Sequence, residues 1–167
     1  MLKRLFATPS DQTLAASALA LRIVLGLVIL PHGAQKLLGW FGGFGFQGTM
    51  DFFTQTMQIP APLALLVIIA EFFGPLALFL GLLTRPAAAG IAVVMVVAAL
   101  TSHLGNGFFM NWYGTQPGEG FEFHLLAAGI GLALVITGGG AWSLDSLLAK
   151  TTRPEPIAQT SSYGAAD

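Results

Sequence analysis

Cysteine is absent from the 167-residue chain, which excludes disulfides, thiolate chemistry, iron–sulfur ligation and cysteine-bound zinc in one step. Charge is scarce too. Asp, Glu, Lys and Arg make up 9% of the residues, and seven basic against eight acidic side chains leave a net charge of −1. With a sequence pI near 6.3 there is no basic excess to hold nucleic acid, so no nucleic-acid partner is expected. Lys3 and Arg4 precede an apolar run in the manner of a secretory leader. That run covers 14–33 and leads into Gln35 and Lys36 rather than a small-residue cleavage site, so it reads as a span.

What the chain does have is apolar surface. Hydrophobic residues are 54% of it and mean hydropathy is +0.75, so membrane lipid is the expected solvent. Four long apolar segments, 14–33, 61–83, 86–104 and 121–141, would each reach roughly 28–35 Å as helices, matching a hydrocarbon core of about 30 Å. Isolated strands would leave backbone groups unpaired in lipid. The expectation is an all-α membrane protein, a four-helix transmembrane bundle. An N-terminal segment 1–13 precedes a membrane domain 14–147 with helices near 14–36, 61–83, 86–104 and 121–141. The tail 148–167, rich in Pro, Ser, Thr and Ala toward its end, is expected to be disordered.

Lys and Arg counts set the orientation. Lys3, Arg4, Arg85, Lys150 and Arg153 flank one side of the spans and only Lys36 the other, so both termini are expected in the cytoplasm. The loops 35–60 and 105–120 then lie outside. Both are aromatic and glycine-rich, with Trp40-Phe41-Gly42-Gly43-Phe44 in the first and Phe108-Phe109-Met110-Asn111-Trp112-Tyr113 in the second. An interfacial belt explains such residues, and Trp40, Trp112 and Tyr113 are alternatively candidates for a lid over a site. A short interfacial helix is expected over 50–58, where Phe52, Phe53, Thr56 and Met57 recur at helical spacing.

Ionisable residues inside the spans carry the functional argument, because each costs around 3 kcal/mol to insert and calls for a partner or a purpose. Arg22 on the first span lies roughly 12 Å from the cytoplasmic end and Glu71 on the second roughly 18 Å, which predicts an Arg22–Glu71 ion pair. Such a pair either fixes helix register or forms part of a site. A second group gathers at the outer end: His32, Lys36, His103, Glu122 and His124. Lys36 follows His32 by four residues and Arg22 by four turns, so a polar stripe runs along the first span. Gly26 and Gly33 beside it would let another helix approach closely. His32 and His103 are the first candidates for a metal or haem, but no helical His-x-x-x-His or Glu-x-x-His motif occurs, so neither group is favoured. Glu122 and His124, two apart, point opposite ways on a helix.

The order Arg22…His32-Gly33-Ala34-Gln35-Lys36-Leu37, then Glu71-Phe72-Phe73-Gly74, then Gly81-Leu82-Leu83-Thr84-Arg85-Pro86-Ala87 resembles the DoxX family. The likeness extends to Gly138-Gly139-Gly140-Ala141-Trp142-Ser143-Leu144-Asp145, with Gly139 in place of an expected proline, and covers roughly 19–147. The resemblance implies a four-helix bacterial inner-membrane protein associated with respiratory quinol or thiosulfate:quinone oxidoreductase systems and oxidative-stress membrane complexes. It carries Arg22, His32, Lys36 and Glu71 over as the polar centre.

Two functions follow as expectations. One is a redox-associated subunit that binds a quinone or similar molecule in a pocket between the first, second and fourth spans, open to the outer face, with Arg22, His32, Lys36, Glu71, His103, Glu122 and His124 as candidate contacts. Having no evident electron carrier, it would belong to an oxidoreductase complex with redox partner subunits rather than act as a self-sufficient enzyme. The other is a non-catalytic carrier or assembly scaffold, as a homo-oligomer since four helices are few for a carrier.

Overall fold

The computed structural model describes residues 8–151, so most of the expected N-terminal segment and residues 152–167 of the expected tail lie outside the described residues. Six α-helices and no strand occur among the described residues. The helix α1 spans Asp11–Leu38. It begins where the Ser10 hydroxyl accepts from the Thr13 N–H, and it stops at Gly39, whose φ of 72° is costly for any residue with a Cβ. At roughly 42 Å it is longer than the hydrocarbon core is thick.

A short helix α2, Gly45–Asp51, continues as a π-turn over Phe52–Thr56. The expected interfacial helix at 50–58 is thus present but starts five residues earlier. Helix α3, Ala61–Leu80, begins behind Pro60 and ends at Gly81, with φ 64°. Helix α4, Thr84–Ala98, runs on through a π-turn at Ala99–His103 and a tight turn at Leu104–Asn106. Helix α5 is Glu122–Thr137. Helix α6, Leu144–Thr151, corrects the reading of 148–151 as disordered tail: Ser143 caps it, its hydroxyl oxygen accepting from the Ser146 N–H at 3.1 Å.

Among the described residues three helical stretches, Asp11–Leu38, Ala61–Leu80 and Thr84–Asn106, are long and apolar enough to cross a membrane. The 16-residue α5 is apolar but shorter, roughly 24 Å, and completes the bundle as its fourth member. Around the bundle α1 packs on α3, α3 on α4 and α4 on α5, while α5 meets α1 only lightly. The core contains Leu25, Ile29, Leu78, Ile91, Met95 and Leu134. Large apolar side chains on the outside, among them Leu27, Leu66, Val93 and Leu132, face where lipid would lie.

Small residues set the close approaches, as expected where lipid and side chains are equally apolar and packing decides. A Cβ on Gly33 would collide with the backbone of Glu71 and Phe72, one on Gly26 would meet the Phe79 ring at 2.5 Å, and one on Gly131 the Ala88 carbonyl at 3.1 Å. The first two fix the antiparallel register of α1 against α3.

Candidate functional site

That register places the charges. Gly33 lies opposite Glu71, so the ammonium of Lys36, one turn further along α1, reaches the Glu71 carboxylate at 2.5 Å. The pair is largely dry, with the Glu71 side chain 5% and the Lys36 side chain 25% exposed. The expected Arg22–Glu71 pair does not form. Arg22 lies 11 residues before Gly33, roughly 16 Å along the helix, and its guanidinium sits beside Gly81 at the other end of the bundle. There Nη2 donates to the Trp142 carbonyl at 2.8 Å. Depth measured from the start of the apolar run misplaced Arg22, because α1 begins at Asp11 and its first turns overhang the end of α3.

Arg22 keeps company with Asp145, which the sequence named only as the end of the Ser143-Leu144-Asp145 stretch and gave no partner. The Asp145 carboxylate accepts from the N–H of Leu83 at 2.7 Å and of Thr84 at 2.8 Å, capping α4 from 61 residues away. Leu83, with φ 50°, offers no capping side chain of its own. Helix α4 therefore starts on unpaired N–H groups that attract a carboxylate, and this is the signal that could have exposed Asp145. Burial opposes ionisation of Asp145, but hydrogen bonds from Thr84 and Leu83 and the Arg22 charge outweigh it and hold the carboxyl below its usual range.

A depressed folded value means that this contribution is present above the unfolded pKa, about 3.9, and is lost as pH falls through the lower folded value. Asp145→Asn, which removes the charge from the α4 N-terminus, is therefore expected to cost about 1 kcal/mol at neutral pH. In an acid titration followed by thermal unfolding, the gap between the variant and the wild type should close below about pH 4. A gap that stays constant down to strong acid would contradict this role for the charge.

At the opposite end the three histidines gather, but not around one point. The His103 and His124 rings lie against each other, centroids 4.0 Å apart and planes tilted by 37°. The His103 Nδ1–H donates to the Glu119 carbonyl at 2.9 Å, the tautomer being dictated by a carbonyl partner that can only accept. His124 is buried, and its Nδ1 has no partner. His32, on the surface of α1, lies 6.0 Å from the Phe123 ring, whose other neighbour is His124 at 5.4 Å. Phe123 thus stands between His32 and the His103–His124 pair. Among the described residues no three His, Asp or Glu side chains converge as metal ligands would.

Glu122 points away from His124, as the helical period requires, and organises the loop before α5. Its Oε1 accepts from the Met110 N–H at 2.7 Å and from the Trp112 indole N–H at 3.3 Å. Trp112 and Glu122 lie at one end of an open groove of about 1020 Å³ that runs along α5 where α1 and α5 pack lightly. Leu21, Phe123, Leu126, Gly129 and Ala133 line it, and Glu122 is the one charged residue in its wall. All three lid candidates are exposed, and of them Trp112 lines the groove while Trp40 and Tyr113 do not. The apolar liners Phe108 and Met110 lay within the aromatic loop, but nothing in the sequence singled them out.

The molecule therefore combines a buried ion pair, a pair of touching histidine rings and an apolar groove with a carboxylate at one end. The DoxX family model matches residues 17–104. The chain is 35% identical over 132 residues to "Inner membrane protein YqjF" of Escherichia coli K12, covering 79% of this chain and 92% of that one. It is 28% identical over 140 residues to "Putative oxidoreductase CatD" of Bacillus subtilis 168, covering 84% and 92%. No solved structure matches. The family match takes in more than half of the chain, including Lys36, Glu71 and the α3–α4 turn, and this multi-pass membrane protein belongs to the DoxX family.

Proposed function

We propose that the protein is a redox-linked subunit of a bacterial inner-membrane complex that binds quinone or quinol in the groove between α1 and α5. The Lys and Arg count favours both termini in the cytoplasm, an orientation that would turn the groove's polar end outward. The observation that carries the reading is the groove itself: a long apolar wall reachable from lipid, ending at one carboxylate and one indole N–H. A quinone ring with a prenyl tail has that distribution of polarity, and its two-electron chemistry would be supplied by a partner subunit. The Glu122 carboxylate can accept a hydroxyl proton, and the Trp112 indole N–H, which donates to Glu122, would have to leave it to reach a quinone carbonyl. The name of the Bacillus subtilis relative and the inner-membrane placement of the Escherichia coli one point the same way.

A carrier is less well supported. The fully buried Leu25 and Ile29 lie on α1 between Arg22 and the Lys36–Glu71 pair, so no polar path links the two ends.

The test uses Gly129. A Cβ there meets nothing within 4 Å, so Gly129→Phe fills the groove without disturbing helix packing. Protein purified in mild detergent is expected to retain quinone above its share of the bulk lipid, as measured by mass spectrometry. The variant should lose that enrichment while its unfolding temperature is unchanged. Equal quinone content in both proteins would sink the proposal.

A further inference from the structure

Helix α6 is amphipathic with its faces reversed. Its polar side is turned to the protein: Asp145 accepts from Leu83 and Thr84, the Asp145 N–H donates to the Gly81 carbonyl at 2.9 Å, and Ser146 is half-buried. The residue two before the helix, Trp142, is held through its carbonyl by the buried Arg22. The apolar residues are turned outward instead, with Leu147 58%, Trp142 55% and Leu144 39% exposed. A short helix in water would adopt the opposite arrangement, because leucine exposure costs free energy and Asp and Ser solvation costs none.

We propose that α6 is an interfacial foot, whose apolar face lies in the acyl–headgroup boundary of the leaflet at this end of the bundle. Three observations favour lipid as the occupant. The α6 N-terminus is bonded to Gly81, between Leu80 at the end of α3 and Leu83 in the α3–α4 turn, both exposed leucines, so the face lies beside apolar surface of the bundle itself. Trp142, at the start, is the residue type that prefers the headgroup layer. Lys150 stands to the side of the leucine face, where its ammonium can reach lipid phosphates, and Arg85 is exposed at the same end. The polar latch fixes the depth: Asp145 cannot leave the α3–α4 turn without uncapping α4, so the leucines are held at the level of the membrane surface.

The absence of cysteine makes the test direct. Single-cysteine variants Leu144→Cys, Leu147→Cys and Lys150→Cys of the full chain are spin-labelled and reconstituted into phosphatidylethanolamine–phosphatidylglycerol vesicles. Leu132→Cys on the lipid-facing side of α5 and Tyr113→Cys in the exposed loop serve as lipid and water references. At 144 and 147 collisions with oxygen should exceed those with a water-soluble nickel chelate, as at 132, and at 150 the balance should shift toward the chelate. Chelate-dominated collisions at all three positions, matching 113, would overturn the proposal. So would spin–spin broadening at 144 and 147 that disappears on dilution with unlabelled protein, since the occupant would then be a second copy. Neither readout involves quinone, so the outcome is independent of the groove.

Discussion

Lys36→Met is expected to destabilise the protein by about 3 kcal/mol, because it leaves the Glu71 carboxylate charged, buried and without its partner. Glu71 side-chain exposure of 5% gives water almost no access to make good the loss. Glu71→Gln alone should cost less, since Lys36 is more exposed and its long stem can carry the ammonium toward the surface. The double variant Lys36→Met, Glu71→Gln should recover much of the Lys36→Met loss, because removing both charges also removes their desolvation. The measurement is a double-mutant cycle on unfolding in detergent micelles. Strong coupling is expected for Lys36 with Glu71, and additivity for Arg22→Ala with Glu71→Ala, which the register keeps roughly 16 Å apart. The reverse pattern would mean that α1 and α3 pair in another register.

How the sequence concealed this partner choice is instructive. The spans were legible, since length and hydropathy decide which segments can satisfy their backbone in lipid. The gathering of His103 and His124 at one end was also legible, because both sit at span ends on the same side. Relative depth was not, for it depends on where each helix ends, and α1 gains its first turn from the polar residues Asp11, Gln12 and Thr13 outside the apolar run. The close helix approach at Gly33 was legible too, but not that it would be α3 at Glu71, which sets the register. Asp145 was hidden for a different reason: its partners are two backbone N–H groups 61 and 62 residues distant, which leave no side-chain signature. The groove was illegible as well, because it arises from the light packing of α5 on α1, a property of the whole bundle rather than of any segment.

Gly33→Ala, the smallest change available at that position, is expected to be as damaging as the loss of Lys36, about 3 kcal/mol. The added methyl would fall on the carbonyl group of Glu71 and the nitrogen of Phe72, and backbone cannot rotate aside as a side chain can. Helices α1 and α3 would have to separate, which also lengthens the Lys36–Glu71 contact one turn away. Other glycines calibrate the result. At Gly26 the obstacle is the edge of the Phe79 ring at 2.5 Å, which can swing aside, so Gly26→Ala should cost clearly less. At Gly90 the nearest atom is the Ala70 Cβ at 3.6 Å, an ordinary contact, so Gly90→Ala should gain up to about 1 kcal/mol from helix propensity. The ordering Gly33, Gly26, Gly90 in unfolding measurements therefore tests close backbone approach separately from propensity, which is the same for all three. A Gly33→Ala protein as stable as the Gly90→Ala one would show that α1 and α3 are not in contact at Gly33, and the ion pair and the placement of Arg22 would fall with that register.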